Sequence, residues 1–200
     1  MTIALARLTG AELRAALDDL ARLRIEIFRD WPYLYDGSFA YERDYFANFA
    51  ASDGAIVVAA RDGDRIVGAA TAAPMGGHAD EFAEPFEKRG YDISRIFYLG
   101  ESVLLPAYRG RGLGHAFFEH REAHGLKLGG FTHATFCSVV RPADHPRRPS
   151  DYRPLDAFWR KRGYEPVPEL VGSFAWLDVG ETEETEKPMQ FWMKPLPPSQ

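Results

Sequence analysis

Cysteine is almost absent from these 200 residues, where Cys137 stands alone. An internal disulfide is thereby excluded, and a reducing compartment, the cytoplasm, is the expected location. No run of about 18 apolar residues occurs, so no segment is expected to span a membrane. The stretch Met1–Gly10 carries Arg7 among a few apolar residues and lacks a signal-peptide core. Positive charge is also short: 24 Lys and Arg against 29 Asp and Glu leave a net charge of -5, which argues against nucleic acid as a partner. No internal repeat is visible. With 46% hydrophobic and 26% charged residues, the composition is that of a globular chain, expected as one domain over 1–200.

Hydrophobic spacing and turn residues give the expected order of elements. Ile3 to Leu8 reads as a strand. Leu13, Leu17, Leu20, Leu23 or Arg24, and Ile27 then recur at helical spacing, so Ala11 to Phe28 reads as an amphipathic helix. An aromatic loop, Trp31 to Gly37, leads to a second helix over Tyr41 to Ala50 with Tyr45, Phe46 and Phe49 as its apolar side. Ala55 to Ala60 and Ile66 to Ala73 form a hairpin around Asp62-Gly63. A charged and aromatic insertion at about 76–95, with a short helix near Asp80 to Arg89, precedes a strand at Ile96 to Leu105. A helix over His115 to Lys127, a strand over Phe131 to Val140, a proline-rich loop and a helix over Leu155 to Arg162 follow. Strands at Leu170 to Val179 and Met189 to Lys194 close the chain, joined by an exposed acidic loop at Glu181 to Glu186. A tail frayed after about residue 196 completes it.

The most informative segment is Glu101-Ser-Val-Leu-Leu-Pro-Ala-Tyr-Arg-Gly-Arg-Gly-Leu-Gly114. A strand enters a turn in which Arg109 and Arg111 alternate with Gly110, Gly112 and Gly114, and a helix follows at once. Glycine permits close backbone approach, and the first amides of a helix have no partner within it. With the helix dipole and the two guanidinium groups, these amides make an anion site suited to phosphates, the alternative being a purely structural glycine turn. The dinucleotide fingerprint requires a different final glycine spacing, and the phosphate-loop NTPase motif requires Gly-Lys-Ser/Thr. Neither is present.

The spacing Arg109-x-x-Gly112-x-Gly114 after a strand resembles the acyl-CoA loop of the GNAT superfamily of N-acetyltransferases. The order of elements resembles that family's core from about residue 3 to 196, and Phe158 to Tyr164 resembles the end of its fourth helix. The insertion at about 76–95 departs from it. The resemblance implies an α/β (α+β) fold: a mixed, mainly antiparallel central sheet flanked by helices. It implies acetyl-CoA, or another acyl-CoA, as co-substrate with no metal, and a small-molecule or peptide amine as acceptor, in a monomer or homodimer. Val103, Leu104 and Leu105 would align the pantetheine through their main chain. Arg109, Gly110, Arg111, Gly112, Leu113 and Gly114 would hold the phosphates.

Direct acyl transfer needs a neutral amine, a donor to the oxyanion and a proton for the leaving thiolate. The resemblance makes Glu101 the candidate base, or else a carboxylate paired structurally with an arginine or amide. The family's glutamate usually lies about one residue further from the loop. Alternation would therefore turn Glu101 to the opposite face unless a bulge resets the register. The family's acid is a tyrosine in the fourth helix, where this chain has Trp159, and indole cannot donate to a thiolate in that way. Tyr164 is then the acid candidate, with Tyr152, Tyr108, Cys137 and solvent water as substitutes. Cys137 reads as a packing residue. His120 and His124, four apart on one helix, lack a zinc-protease pattern around them. Trp31 to Tyr35, and the acids Glu181, Glu183, Glu184 and Glu186, point to a cationic or aromatic-containing acceptor, and a solvated charge run explains the acids equally well. A non-catalytic acyl-CoA-binding regulatory module and a nucleotide-binding protein are the competing readings.

Overall fold

The computed structural model describes residues 3–77 and 80–197. His78, within the expected insertion, and the last three residues of the tail lie outside the described residues. Seven strands form one sheet in the order β1-β2-β3-β4-β5-β7-β6. They are β1 Ala4–Leu8, β2 Ile56–Asp62, β3 Arg65–Pro74, β4 Ile96–Leu104, β5 His133–Val139, β6 Glu165–Leu177 and β7 Glu184–Pro195. The helices are α1 Gly10–Phe28, α2 Phe39–Ala51, α3 Asp80–Glu87, α4 Leu113–Leu128 and α5 Asp156–Lys161. All neighbouring strands pair antiparallel except β4 and β5. The mixed, mainly antiparallel sheet flanked by helices agrees with the expected fold class.

The apolar stripe of α1 buries Leu13, Leu17, Leu20 and Leu23 against the sheet, and α2 adds Phe46 and Phe49. From α4, Phe117 and Phe118 enter the same core. Gly125 is where α4 rides closest on β4, because a Cβ there would lie 2.7 Å from the Phe97 ring. The insertion builds a second, smaller core in which α3 lays Ala83 and Phe86 against Leu170, Phe191 and Met193.

Two strand boundaries differ from expectation. β6 starts at Glu165 rather than Leu170, through Pro166 and Pro168. Pro166 is tolerated at the sheet edge, where one side of a strand needs no amide donors, and Pro168 falls in a break of the β6–β7 ladder between Pro166 and Val171. β7 starts at Glu184, so half of the expected acidic loop is strand, although Glu184 and Glu186 remain exposed. The tail is held at least as far as Leu196, which is buried and donates its amide to Thr132 at 2.8 Å.

Candidate active site

The sheet opens between β4 and β5. These parallel strands pair only over Ile96, Phe97 and Tyr98 against His133, Ala134 and Thr135. Beyond Tyr98 they diverge while β5 stays paired to β7 as far as Val139. A wedge forms with the C-terminal half of β4 along one side. Ser102 is exposed there, in the middle of a sheet, between buried Glu101 and Val103.

Main-chain direction along this half-strand follows from one hydrogen bond. The Leu105 amide donates to Val67 of β3 at 2.9 Å, with Leu104 opposite Gly68 and Val103 opposite Ala69. Polar groups alternate along an antiparallel strand, so Val103 and Leu105 turn theirs toward β3. Ser102 and Leu104 turn theirs into the wedge. Of the three residues expected to present main chain there, Leu104 alone does so. Ser102 joins it, and the side chains of Val103 and Leu105 go into the core.

The glycine turn stands at the open end of the wedge. Gly110 and Gly112 have φ of 74° and 81°, and a Cβ at either would meet nothing within 4 Å. Glycine is required there by conformation, and the space above it is free. Gly112 caps α4 without any side-chain hydrogen bond, which leaves the first amides of this 16-residue helix available. Leu113 buries its side chain, and Gly114 lies against Phe158 of α5. Arg109 donates Nε to the Leu104 carbonyl at 3.3 Å, and Arg111 donates to Ala107 at 3.1 Å while covering the Tyr108 ring. Both arginines are exposed at the rim. Tyr108 pins the turn to the β2–β3 hairpin by donating to Asp62 at 2.8 Å. The loop thus fits an anionic, phosphate-bearing ligand.

A bulge lies in β4 at Gly100 and Glu101. Ala70 pairs with Ser102 and Ala72 with Leu99, so β4 carries one more residue than β3 between these pairs. Glu101 is thereby brought to the face covered by α1 and α2, where its side chain is 4% exposed. Tyr45 of α2 donates to Glu101 Oε2 at 3.1 Å, and Arg24 Nε of α1 stands 4.0 Å from the same oxygen. Glu101 Oε1 is buried without a hydrogen-bond partner. Arg24 gives its close contact to Glu42 of α2, whose side chain is fully buried. Burial opposes the charge on Arg24, but Glu101, Tyr45 and Glu42 together outweigh it and hold the guanidinium above its ordinary pKa. Burial, then the Glu101 carboxylate, raises the Tyr45 phenol well above its usual range, so it remains a donor.

Around this group lies an aromatic wall. Tyr33 stacks near Phe28 and Trp176, and Trp31 packs on His145 and Tyr152. The aromatic loop is strapped to the final hairpin by Arg141, which makes a two-pronged ion pair with Asp178 at 2.7 and 2.9 Å and donates to the Pro32 and Tyr33 carbonyls. Lys187 stands 3.3 Å from the same Asp178. The loop at Trp31 to Tyr35 and the end of β6 are therefore neighbours, as Tyr35 pairing with Asp178 also shows.

Other sequence candidates take structural places. Tyr164 is fully buried and donates its hydroxyl to Glu122 of α4 at 3.0 Å. Burial, then Glu122, raises its phenol far above the ordinary value. Its hydroxyl is held by Glu122, which gives it a structural place. Trp159 packs on Phe136 and Trp192. Cys137 lies 3.4 Å from the Tyr98 hydroxyl, and burial pushes its thiol up to about 12. His124 faces the Gly54 carbonyl at 2.9 Å and also contacts Arg7. Among the described residues no group of His, Cys, Asp and Glu is arranged to hold a metal, and no helix is long and apolar enough to cross a membrane.

Arg24, Glu42 and Tyr45 were not singled out for chemistry in the sequence. Their signal was there: Arg24 falls on the apolar stripe of α1, and Glu42 stands three before Tyr45 and four before Phe46 on the buried face of α2. A charge on a buried helical face requires a partner, and here the partners meet at β4.

Together these features define a class: an α/β enzyme fold with a splayed parallel strand pair and an anion-ready strand–loop–helix at its mouth. The model of the acetyltransferase (GNAT) family matches residues 18–149, and the chain belongs to that family of acetyl-CoA-using acyltransferases. Solved structures of similar fold include a ribosomal-protein-alanine N-acetyltransferase from Brucella melitensis, at 15% identity and TM-score 0.61 over 96% of this chain and 99% of that one. An aminoglycoside 6'-N-acetyltransferase complexed with coenzyme A is 18% identical, with TM-score 0.59 over 99% and 98% of the two chains. An acetyltransferase from Thermus thermophilus is 16% identical, with TM-score 0.57 over 98% of each chain. No curated protein matches the chain.

Proposed function

We propose that the chain transfers an acetyl group from acetyl-CoA to a primary amine by direct attack in a ternary complex. The observation that carries this reading is the wedge with the glycine loop at its mouth and a partly uncommitted buried carboxylate, Glu101, on its β4 side. The amides of Leu113 and Gly114, with Arg109 and Arg111, hold the pyrophosphate beside Gly110 and Gly112. Main-chain groups of Ser102 and Leu104 align the pantetheine and donate to the thioester oxygen as it gains charge. Glu101 Oε1 accepts a proton from the acceptor ammonium, directly or through water, which frees the amine lone pair for the thioester carbon. The C–S bond breaks, and the thiolate takes its proton from solvent, since the Tyr164 hydroxyl is engaged by Glu122. The single cysteine supports a reducing compartment such as the cytoplasm.

A second reading is a non-catalytic acyl-CoA-binding module, favoured by an indole, Trp159, in place of the family's tyrosine. Calorimetric titration with acetyl-CoA and CoA release with polyamines, amino acids, aminoglycosides and peptides separate the two. Transfer requires turnover with at least one amine and its loss in Glu101→Gln. Binding without turnover across the panel supports the module, and absence of acetyl-CoA binding overturns both.

A further inference from the structure

We infer that Glu42 is a positioning residue that draws Arg24 away from Glu101 and so keeps the buried Glu101 Oε1 unpaired for the transfer reaction. The inference rests on the proposed role of Glu101.

Two carboxylates, from α2 and β4, share one guanidinium from α1. Arg24 Nη1 makes its close ion pair with Glu42 Oε2, whereas its Nε stops 4.0 Å short of Glu101 and has no hydrogen-bond partner. The guanidinium carbon also lies over the Tyr45 ring, 4.3 Å from its centroid, and over the Phe28 ring, 5.1 Å from its centroid. A guanidinium offers paired donors that match both oxygens of one carboxylate. Without Glu42, Glu101 is the remaining carboxylate within its reach. A bidentate pair there would occupy Oε1, the oxygen that the transfer reaction needs.

The remaining groups around Glu101 do not replace this control. Tyr45 donates to Oε2 alone, and Arg121 of α4 reaches the Glu101 carbonyl rather than its carboxylate. Tyr98 on β4 and Tyr33 in the aromatic loop are phenols kept protonated first of all by burial. Thr71 of β3 is uncharged. Arg24 is therefore the cation that can cover Oε1, and Glu42 is the acid that restrains it.

The test compares wild type, Glu42→Gln, Arg24→Gln and the Arg24→Gln/Glu42→Gln pair. Two readouts are used: CoA release with the fastest amine of the panel, and the Arg24 Nε–H signal in nitrogen–proton correlation spectra. Glu42→Gln should lower kcat roughly tenfold or more with acetyl-CoA affinity unchanged, and the double variant should recover most of that loss. The Nε–H proton should move downfield and exchange more slowly in Glu42→Gln, and this shift should vanish when Glu101→Gln is added. Wild-type turnover in Glu42→Gln overturns the inference. So does a loss that Arg24→Gln fails to relieve, which would mark Glu42 as merely structural. If wild type turns over no amine, the transfer reading fails by itself. The Arg24 signal still decides the clamp, and an unchanged signal in Glu42→Gln overturns it.

Discussion

Arg121 and Glu101 meet through the main chain. Arg121 Nη1 donates to the Glu101 carbonyl at 3.3 Å and to the Thr71 carbonyl at 3.2 Å. Both carbonyls belong to the bulge, where the β3–β4 ladder is interrupted. Burial lowers the Arg121 pKa to about 10, still high enough to remain charged at neutral pH. An arginine from α4 thus fixes the backbone of the residue whose carboxylate meets an arginine from α1. Arg121→Met should cost roughly 1–3 kcal/mol, because the unpaired carbonyls outweigh the regained desolvation of the guanidinium. Urea unfolding measures the loss, and an unchanged midpoint would show that the bulge closes without Arg121.

Gly100 has a tighter requirement. A Cβ there would collide with Thr71 Oγ1, a buried hydroxyl without a hydrogen-bond partner. Gly100→Ala should destabilise by about 1–3 kcal/mol through overpacking, and Thr71→Ala in the same chain should restore most of it. Additive effects in thermal unfolding would contradict the contact.

At Gly112 the constraint is conformational, and the proposed phosphate site adds a second one. Its φ of 81° disfavours a side chain, and its Cβ direction opens into free space. Gly112→Ala should lose about 1–2 kcal/mol of stability through backbone strain. CoA binding, read by calorimetry, should fall by at least roughly tenfold if the amides of this turn hold phosphate. Unchanged affinity in a folded variant would move the phosphate site elsewhere.

With its thiol pushed up to about 12 by burial, Cys137 carries very little thiolate near pH 8. Its reaction with Ellman's reagent should be far slower in the native protein than after denaturation. Cys137→Ala should retain acyl transfer. Loss of turnover in a folded Cys137→Ala protein would restore a chemical role for the thiol.

His124 links pH to stability. Burial first, with Arg7 and Lys127 adding to it, lowers the ring below its ordinary pKa despite the Gly54 carbonyl. The unfolded chain therefore binds the proton more readily than the native one. Stability should be complete above about pH 6.5 and should decline as pH falls below that value. In His124→Gln the decline below about pH 6.5 should be shallower. Parallel curves for the two proteins would show that other groups carry the dependence.

Contiguous patterns were legible in the sequence. The strand, glycine turn and helix from Ile96 to Lys127 form one unbroken segment, and their conformations follow from local sterics and unpaired helix amides. The helical stripes of α1 and α2, and the Asp62-Gly63 hairpin, could be read in the same local way. β6 begins five residues before the expected Leu170, because Pro166 is accepted at a sheet edge and Pro168 in a break of the ladder, neither of which a single segment displays.

Tertiary structure decided the chemistry of Glu101. Alternation alone would turn its carboxylate to the α4 face, and one extra residue against β3 sends it to the face of Tyr45 and Arg24. Such a bulge is a mismatch between two strands and belongs to neither sequence segment alone. The same holds for Tyr164, whose hydroxyl is claimed by Glu122, 42 positions away in the chain. Sequence determined which segments bend, coil and leave amides free, because those preferences act over a few bonds. Which charges share a buried space was settled only when α1, α2 and β4 packed together, because desolvation and pairing depend on neighbours in space.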